Sequence, residues 1–313
     1  MLKRNIVLAL SALTLVSCGS SANSSSSLTS QLSSSASSSE EVVNYTLTKG
    51  VDYVGDGSKG HKADMYLPKG MTTSTPAVIL IHGGAFKVGD ETMFSSTAKW
   101  LANHEIGVAC ISYRLYEEAI FPAGLADIKA AIRYVRSHAS TYNFNPDPIV
   151  TWGESAGVYL SVMAALTSQD SYTSGDITSN ASTSSEVQYC VDFYGPICVK
   201  QYKDAGLCNF LGITTNTIDD ASNADIVSKS DPLSYVSSFT STSAPQFLIQ
   251  HGDADTTVSN EESKYLQAGL VSAFGASKSS LTIMPGLHHM DKGFYTDSNL
   301  TLVSDSIKSY FSK

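Results

Sequence analysis

The stretch IVTWGESAGV, residues 149–158, decides how this chain is read. A β-branched, apolar run ends in Gly153-Glu154-Ser155-Ala156-Gly157, and a helical pattern follows. Packing gives no reason to place a serine between two glycines where a strand gives way to a helix, but chemistry does. A serine on such a sharp turn sits in a strained conformation with its hydroxyl projecting above the sheet. The N–H of Ala156 points to the same place, and the positive end of the next helix adds to it. A bare G-x-S-x-G also arises by chance. Its meaning depends on whether the chain supplies a base, an acid and an anion hole.

Working outward, NYTLTKGVDYV (44–54) and HKADMYLP (61–68) alternate as antiparallel strands do. Buried-strand runs follow at TPAVILIHGG (75–84), GVACISYRL (107–115), PIVTWG (148–153), VQYCVDFYG (187–195), PQFLIQHG (245–252) and SLTIMPG (280–286). Helical spacing separates them, in 91–105, 121–140, 155–168, 261–275 and 302–313. Strands alternating with helices predict an α/β fold with a mostly parallel eight-stranded sheet covered on both faces. Residues 196–244 are expected to form an irregular insertion after the sixth strand. In such sheets the ligand lies at the carboxyl ends of the strands.

Four of those ends carry unusual residues. A serine hydroxyl needs a base to become a nucleophile. GLHH, after the last strand, offers His288 or His289. An acid must orient that imidazole, and HGDAD offers Asp253 or Asp255. The order Ser, Asp, His is that of α/β-hydrolases. HGGA, 82–85, supplies backbone N–H groups that can approach an oxyanion closely.

With HGGAFKVGD, SYRL, FPAGLADIKAAIRYVRSHAS, GESAG, HGDADTTV and PGLHHMDKGF, the chain resembles α/β-hydrolases of the acetyl-esterase and hormone-sensitive-lipase-like group. More narrowly it resembles the bacterial feruloyl/acetyl esterase-like (BD-FAE-like) family, over nearly all of 43–313. The resemblance implies Ser155 as nucleophile. It selects Asp255 over Asp253 as acid and His289 over His288 as base. The N–H groups of Gly83, Gly84 and Ala156 become the oxyanion hole. It implies a serine carboxylesterase acting on acetyl or feruloyl-type esters, with no cofactor. A generalist carboxylesterase, an arylformamidase-like amide hydrolase and a catalytically silent binding protein are the alternatives. Ala85, Phe86, Val158, Met290 and the histidine doublet depart from the family's usual residues.

Other polar residues have blander expectations. Asp253 braces its loop, His82 packs beneath the glycine loop, Asp90 and Asp127 are structural anions, and Tyr113 and Arg114 pin a loop. The histidine doublet comes without an H-E-x-x-H motif or a Cys/His ligand set, so no metal is expected.

A formal charge of −9 argues against a basic nucleic-acid face. Residues 6–16 form an apolar run of 11 after Lys3 and Arg4. That is about half of the ~20 residues a membrane helix needs. It reads as a signal peptide, residues 1–17. It ends in LVSC, which resembles the lipobox of bacterial lipoproteins, with Cys18 as the lipidated residue. In residues 20–39, 13 of 20 are serine, too polar to fold, so 18–42 is expected to be a tether. These features predict an extracytoplasmic protein anchored in the bacterial cell envelope, with an esterase domain at 43–313. Cys110 and Cys190 lie in strand-like runs as small hydrophobes. Cys198 and Cys208 stay open as a pair or as free thiols.

Overall fold

The computed structural model describes residues 43–239 and 243–312; the signal peptide, Cys18 and the serine tether lie outside them. A compact unit spans Val43–Lys313. It opens with β1 (Tyr45–Asp52), β2 (Lys62–Pro68) and β3 (Thr75–Ile81), followed by α1 (Ser95–Asn103), β4 (Gly107–Ile111), α2 (Ala123–Ser137) and the single turn α3 (Ala139–Tyr142). The strand β5 (Phe144–Glu154) runs directly into α4 (Ala156–Leu166), and β6 (Tyr189–Phe193) follows.

Four short helices come next: α5 (Val199–Tyr202), α6 (Ala205–Phe210), α7 (Ala224–Ser230) and α8 (Pro232–Ser238). The chain ends with β7 (Gln246–Gly252), α9 (Glu261–Phe274), β8 (Ser279–Met284) and α10 (Asp297–Phe311).

The strand order is β1-β2-β4-β3-β5-β6-β7-β8. The neighbours from β4 to β8 pair in parallel, while β2 is antiparallel to both β1 and β4. This is the expected eight-stranded, mostly parallel sheet. Its register aligns Ile81, Gly153, Asp192 and Ile249 across four strands. The residues that follow them therefore emerge along one edge.

Alternation splits the core into two layers. Ala77, Ile79 and Ile81 of β3 face one core, which α2, α4 and α9 cover. Val78 and Leu80 face the other, which α1 and α10 cover. Both sets are fully buried, so the strand reads as continuously apolar. Each such valine, leucine or isoleucine contributes ~1.5–3 kcal/mol by burial.

The insertion follows β6 as expected, and its described residues combine turns with helices of only four to seven residues. That is too short for an apolar stripe to repeat. Local caps mark them instead: Asp204 accepts from the N–H groups of Gly206 and Leu207, and Asp231 accepts from Leu233 N–H ahead of Pro232. Cys110, Cys190, Cys198 and Cys208 are free and buried, so Cys198 and Cys208 are not paired. Burial, with the Glu262 carboxylate adding to it, pushes the Cys198 thiol up to about 12.

Candidate active site

Close packing explains the two glycines around Ser155. A Cβ on Gly157 would stand 2.0 Å from the Ile81 carbonyl oxygen. A Cβ on Gly153 would stand 2.4 Å from the Gly157 backbone. Only hydrogen at both positions lets α4 begin against the ends of β3 and β5. The chain between them turns so tightly that Ser155 takes φ 49° and ψ −122°. A non-glycine residue there is strained, and the packing of β5 and α4 holds it.

Gly83 is pressed toward this turn: its added Cβ would stand 3.2 Å from Ser155 Cβ. Gly84 has φ 98° and accepts hydrogen bonds at its carbonyl from Lys87 N–H and Val88 N–H. Ala85 and Phe86 also have positive φ, at 53° and 59°. Packing sustains that conformation, because buried Phe86 stacks on Phe210 of α6 with centroids 4.4 Å apart. The insertion thus braces the glycine loop. Among the described residues no acceptor is bonded to the N–H of Gly83, Gly84 or Ala156.

Three side chains distant in sequence meet at this edge. His289 Nε2 lies 2.9 Å from Ser155 Oγ, and His289 Nδ1 lies 2.7 Å from Asp255 Oδ2. A carboxylate only accepts, so Nδ1 carries the proton and Nε2 accepts from the serine hydroxyl. Asp255 is fixed by the N–H groups of Thr257 and Val258, which donate to Oδ1 at 2.8 and 3.0 Å. Burial alone would raise its pKa. Hydrogen bonds from His251, His289 and the two backbone donors outweigh burial and hold the carboxyl well below the usual range.

The neighbouring candidates stand elsewhere. His288 is exposed, and its side chain makes no hydrogen bond among the described residues. Asp253 is exposed and braces its loop by accepting from Gly286 N–H at 2.6 Å. His82 donates from Nδ1 to the Gly83 carbonyl and stacks on Tyr113. Burial lowers its pKa. Asp127 is buried and receives Arg114 and His61. Asp90 accepts from Thr92 N–H at 2.8 Å. Among the described residues, no group of three or more His, Cys, Asp or Glu side chains is placed to hold a metal ion.

The chain belongs to the BD-FAE family. The family's model matches residues 63–270, which contain Ser155, Asp255 and the glycine loop. Esterase LipQ of Mycobacterium tuberculosis is 28% identical over 220 residues, 68% of this chain and 50% of that protein. Isoprenylcysteine alpha-carbonyl methylesterase ICME of Arabidopsis thaliana is 26% identical over 237 residues, 74% of this chain and 54% of that one. The chain spans about half the length of the curated relatives it matches. A solved carbohydrate esterase from gut microbiota, in truncated form, superposes with a TM-score of 0.75 at 29% identity. That match covers 87% of this chain and 99% of the other.

In this BD-FAE chain a further ring of groups surrounds the three residues. His251 sits beneath Asp255, with Nε2 2.9 Å from the Val258 carbonyl and 3.3 Å from Asp255 Oδ2. Its Nδ1 accepts from Ser263 Oγ at 2.7 Å. Tyr194, at the end of β6, sets its ring against His289 with centroids 4.9 Å apart. The Tyr194 hydroxyl meets that of Tyr295, and both hydrogen-bond to the Glu154 carboxyl. Burial pushes Glu154 up to about 7, and the two phenols offset part of that rise. Sequence spacing gave no sign of Tyr194 or Tyr295. The histidine of HGDAD and the glutamate of GESAG were visible, but nothing in their spacing assigned them partners.

Proposed function

We propose that this chain is a serine carboxylic-ester hydrolase in which Ser155 is the nucleophile, His289 the base and Asp255 the orienting acid. The observation that carries this reading is one imidazole bridging a serine hydroxyl and a buried carboxylate, at 2.9 and 2.7 Å. Ser155 Oγ attacks the ester carbonyl while its proton passes to His289 Nε2. Asp255 keeps the ring in the required tautomer and stabilises the imidazolium. The N–H groups of Gly83, Gly84 and Ala156 receive the oxyanion, and losing one such donor costs ~3 kcal/mol. The tetrahedral adduct expels the alcohol, which takes the proton from His289. Water then attacks the acyl-serine by the same route, and the carboxylate leaves. No step needs a cofactor.

The substrates are short acyl esters, acetyl or feruloyl-type, on plant polysaccharide or its oligosaccharides. Likeness to a carbohydrate esterase supports the carbohydrate half of that reading. The apolar run, the LVSC sequence and the serine tether support an extracytoplasmic lipoprotein held to the membrane through Cys18. Likeness to Esterase LipQ favours a second reading, a generalist carboxylesterase.

Release of acetate and ferulate from xylan, beside hydrolysis of p-nitrophenyl acetate, tests these readings. Purified protein should cleave both kinds of ester, and Ser155→Ala should cleave neither. Activity limited to the synthetic ester would favour the generalist. Equal inertness of wild type and Ser155→Ala would leave a binding protein on this fold.

A further inference from the structure

Bordering the segments that carry Ser155 and His289 is a cleft of about 390 Å³, within the range of ~300–1,000 Å³ usual for small-molecule sites. Its lining includes Glu154 and Met290, the chain neighbours of Ser155 and His289. Phe94, Trp100 and Tyr295 add aromatic wall, and Met93 stands at the same opening. Two features of this lining lack a packing reason. Met93 and Met290 are 50% and 60% exposed, although each is a large apolar side chain. Met290 also holds φ 59°, a conformation that a non-glycine residue adopts only under constraint. Flexible thioethers around an aromatic wall suit an adaptable binding surface.

Polar groups converge on the same space. Glu154, Tyr295, Ser96 and Thr97 all line it. Ser96 is exposed, and its hydroxyl has no partner among the described residues. Apolar walls with a carboxyl and several hydroxyls match a ring that has C–H faces and hydroxyl edges.

The position of the cleft assigns it to one half of the ester. A leaving alcohol must take its proton from His289 Nε2, so the alcohol lies on the histidine side of the scissile bond. Two of the cleft's walls, Met290 and Tyr295, come from the segment that carries His289. We propose that this cleft is the alcohol-side subsite and that it takes a hydroxylated sugar ring, with Glu154 and Tyr295 bonding its hydroxyls. This deepens the ester-hydrolase reading and rests on it for the direction of the substrate.

The test is a set of esters that separates the two halves. Methyl acetate reaches neither subsite, an acetylated xylo-oligosaccharide extends the alcohol, and methyl ferulate extends the acid. Ser96→Phe places bulk in the cleft from an exposed position on α1, and Glu154→Gln alters its polar floor without changing shape. In both variants the ratio of kcat/KM for the sugar acetate to that for methyl acetate should fall at least fivefold. The corresponding ratio for methyl ferulate should change by less than that. A smaller change in the sugar ratio, or a fivefold loss on methyl ferulate instead, would overturn the assignment.

Binding separates failure of this idea from failure of the ester reading. Unesterified xylotriose should alter Trp100 fluorescence in the wild-type chain and do so at least fivefold more weakly in Ser96→Phe. A protein inert toward every ester but showing that binding would lose the hydrolase reading and keep the sugar cleft. Absence of binding together with an unchanged sugar ratio would remove the cleft and leave the hydrolase.

Discussion

His251 Nε2 lies 3.3 Å from Asp255 Oδ2, the same oxygen that faces His289. Asp255 is therefore held from two sides by imidazoles and from beneath by two backbone N–H groups. The arrangement fixes an ionised carboxylate where His289 needs an acceptor. Replacing it with an amide puts an N–H donor within reach of Nδ1. Asp255→Asn should keep its fold and lower kcat by about 10³–10⁴. A loss under tenfold in steady-state kinetics would mean that this carboxylate does not orient the base.

The histidine doublet gives a sharper contrast. His289 touches Ser155, whereas His288 is exposed and its side chain makes no hydrogen bond among the described residues. His289→Ala should cost about 10⁵–10⁶ in kcat. His288→Ala should stay within about threefold, since exposed substitutions away from special contacts change little. A reversed order of effects would move the base to the other ring.

Gly157 meets the Ile81 carbonyl so closely that a methyl group must displace backbone. Gly157→Ala should destabilise the chain by ~1–3 kcal/mol or more, and shift Ser155 with it. Gly269, on α9, is the control, because its added Cβ would meet only side-chain ends, Leu233 Cδ2 at 3.2 Å and Val236 Cγ1 at 3.8 Å. Gly269→Ala should remain within ~1 kcal/mol of wild type. Equal denaturation midpoints for the two variants would show that the turn has slack.

Glu154 makes stability depend on pH in a defined window. Its pKa is about 7 in the fold, raised chiefly by burial, against 4.5 for a free glutamate. Between those values the folded chain binds more protons at this site than the unfolded chain. Its contribution to stability is therefore greatest below pH 4.5, declines as pH rises toward 7, and is constant above. The decline is at most ~3 kcal/mol and is smaller where the cleft admits water. Glu154→Gln should remove it, so the variant gains on wild type across that window in chemical denaturation. Parallel curves for the two proteins would place the carboxyl in water.

Much of the fold was legible because its signals are local. β3 and β5 are apolar runs bounded by glycine, and α2 repeats Leu125, Ile128, Ile132 and Val135 along its buried side. Candidates for the site were legible for a related reason: they occupy strand ends, and parallel strands bring their ends together. The insertion was less legible, since α5 to α8 are shorter than the pattern that reveals a helix. The setting of Lys129 on α2 had no local signal either. Lys129 is fully buried and donates to the Thr173 hydroxyl at 2.6 Å and to the Thr167 carbonyl, fastening the chain after α4.

By itself the sequence determined the order of strands and helices, the sharp turn at Ser155 and the short set of acids and bases available to it. Those follow from residue periodicity and from glycines whose neighbours in the chain are known. Only the tertiary structure decided which histidine touches the serine, that His251 supports Asp255, that Phe210 braces the glycine loop, and that Glu154 shares a cleft with Trp100. Each of these joins residues from separate elements. Their distances depend on how whole strands and helices pack, which no local spacing records.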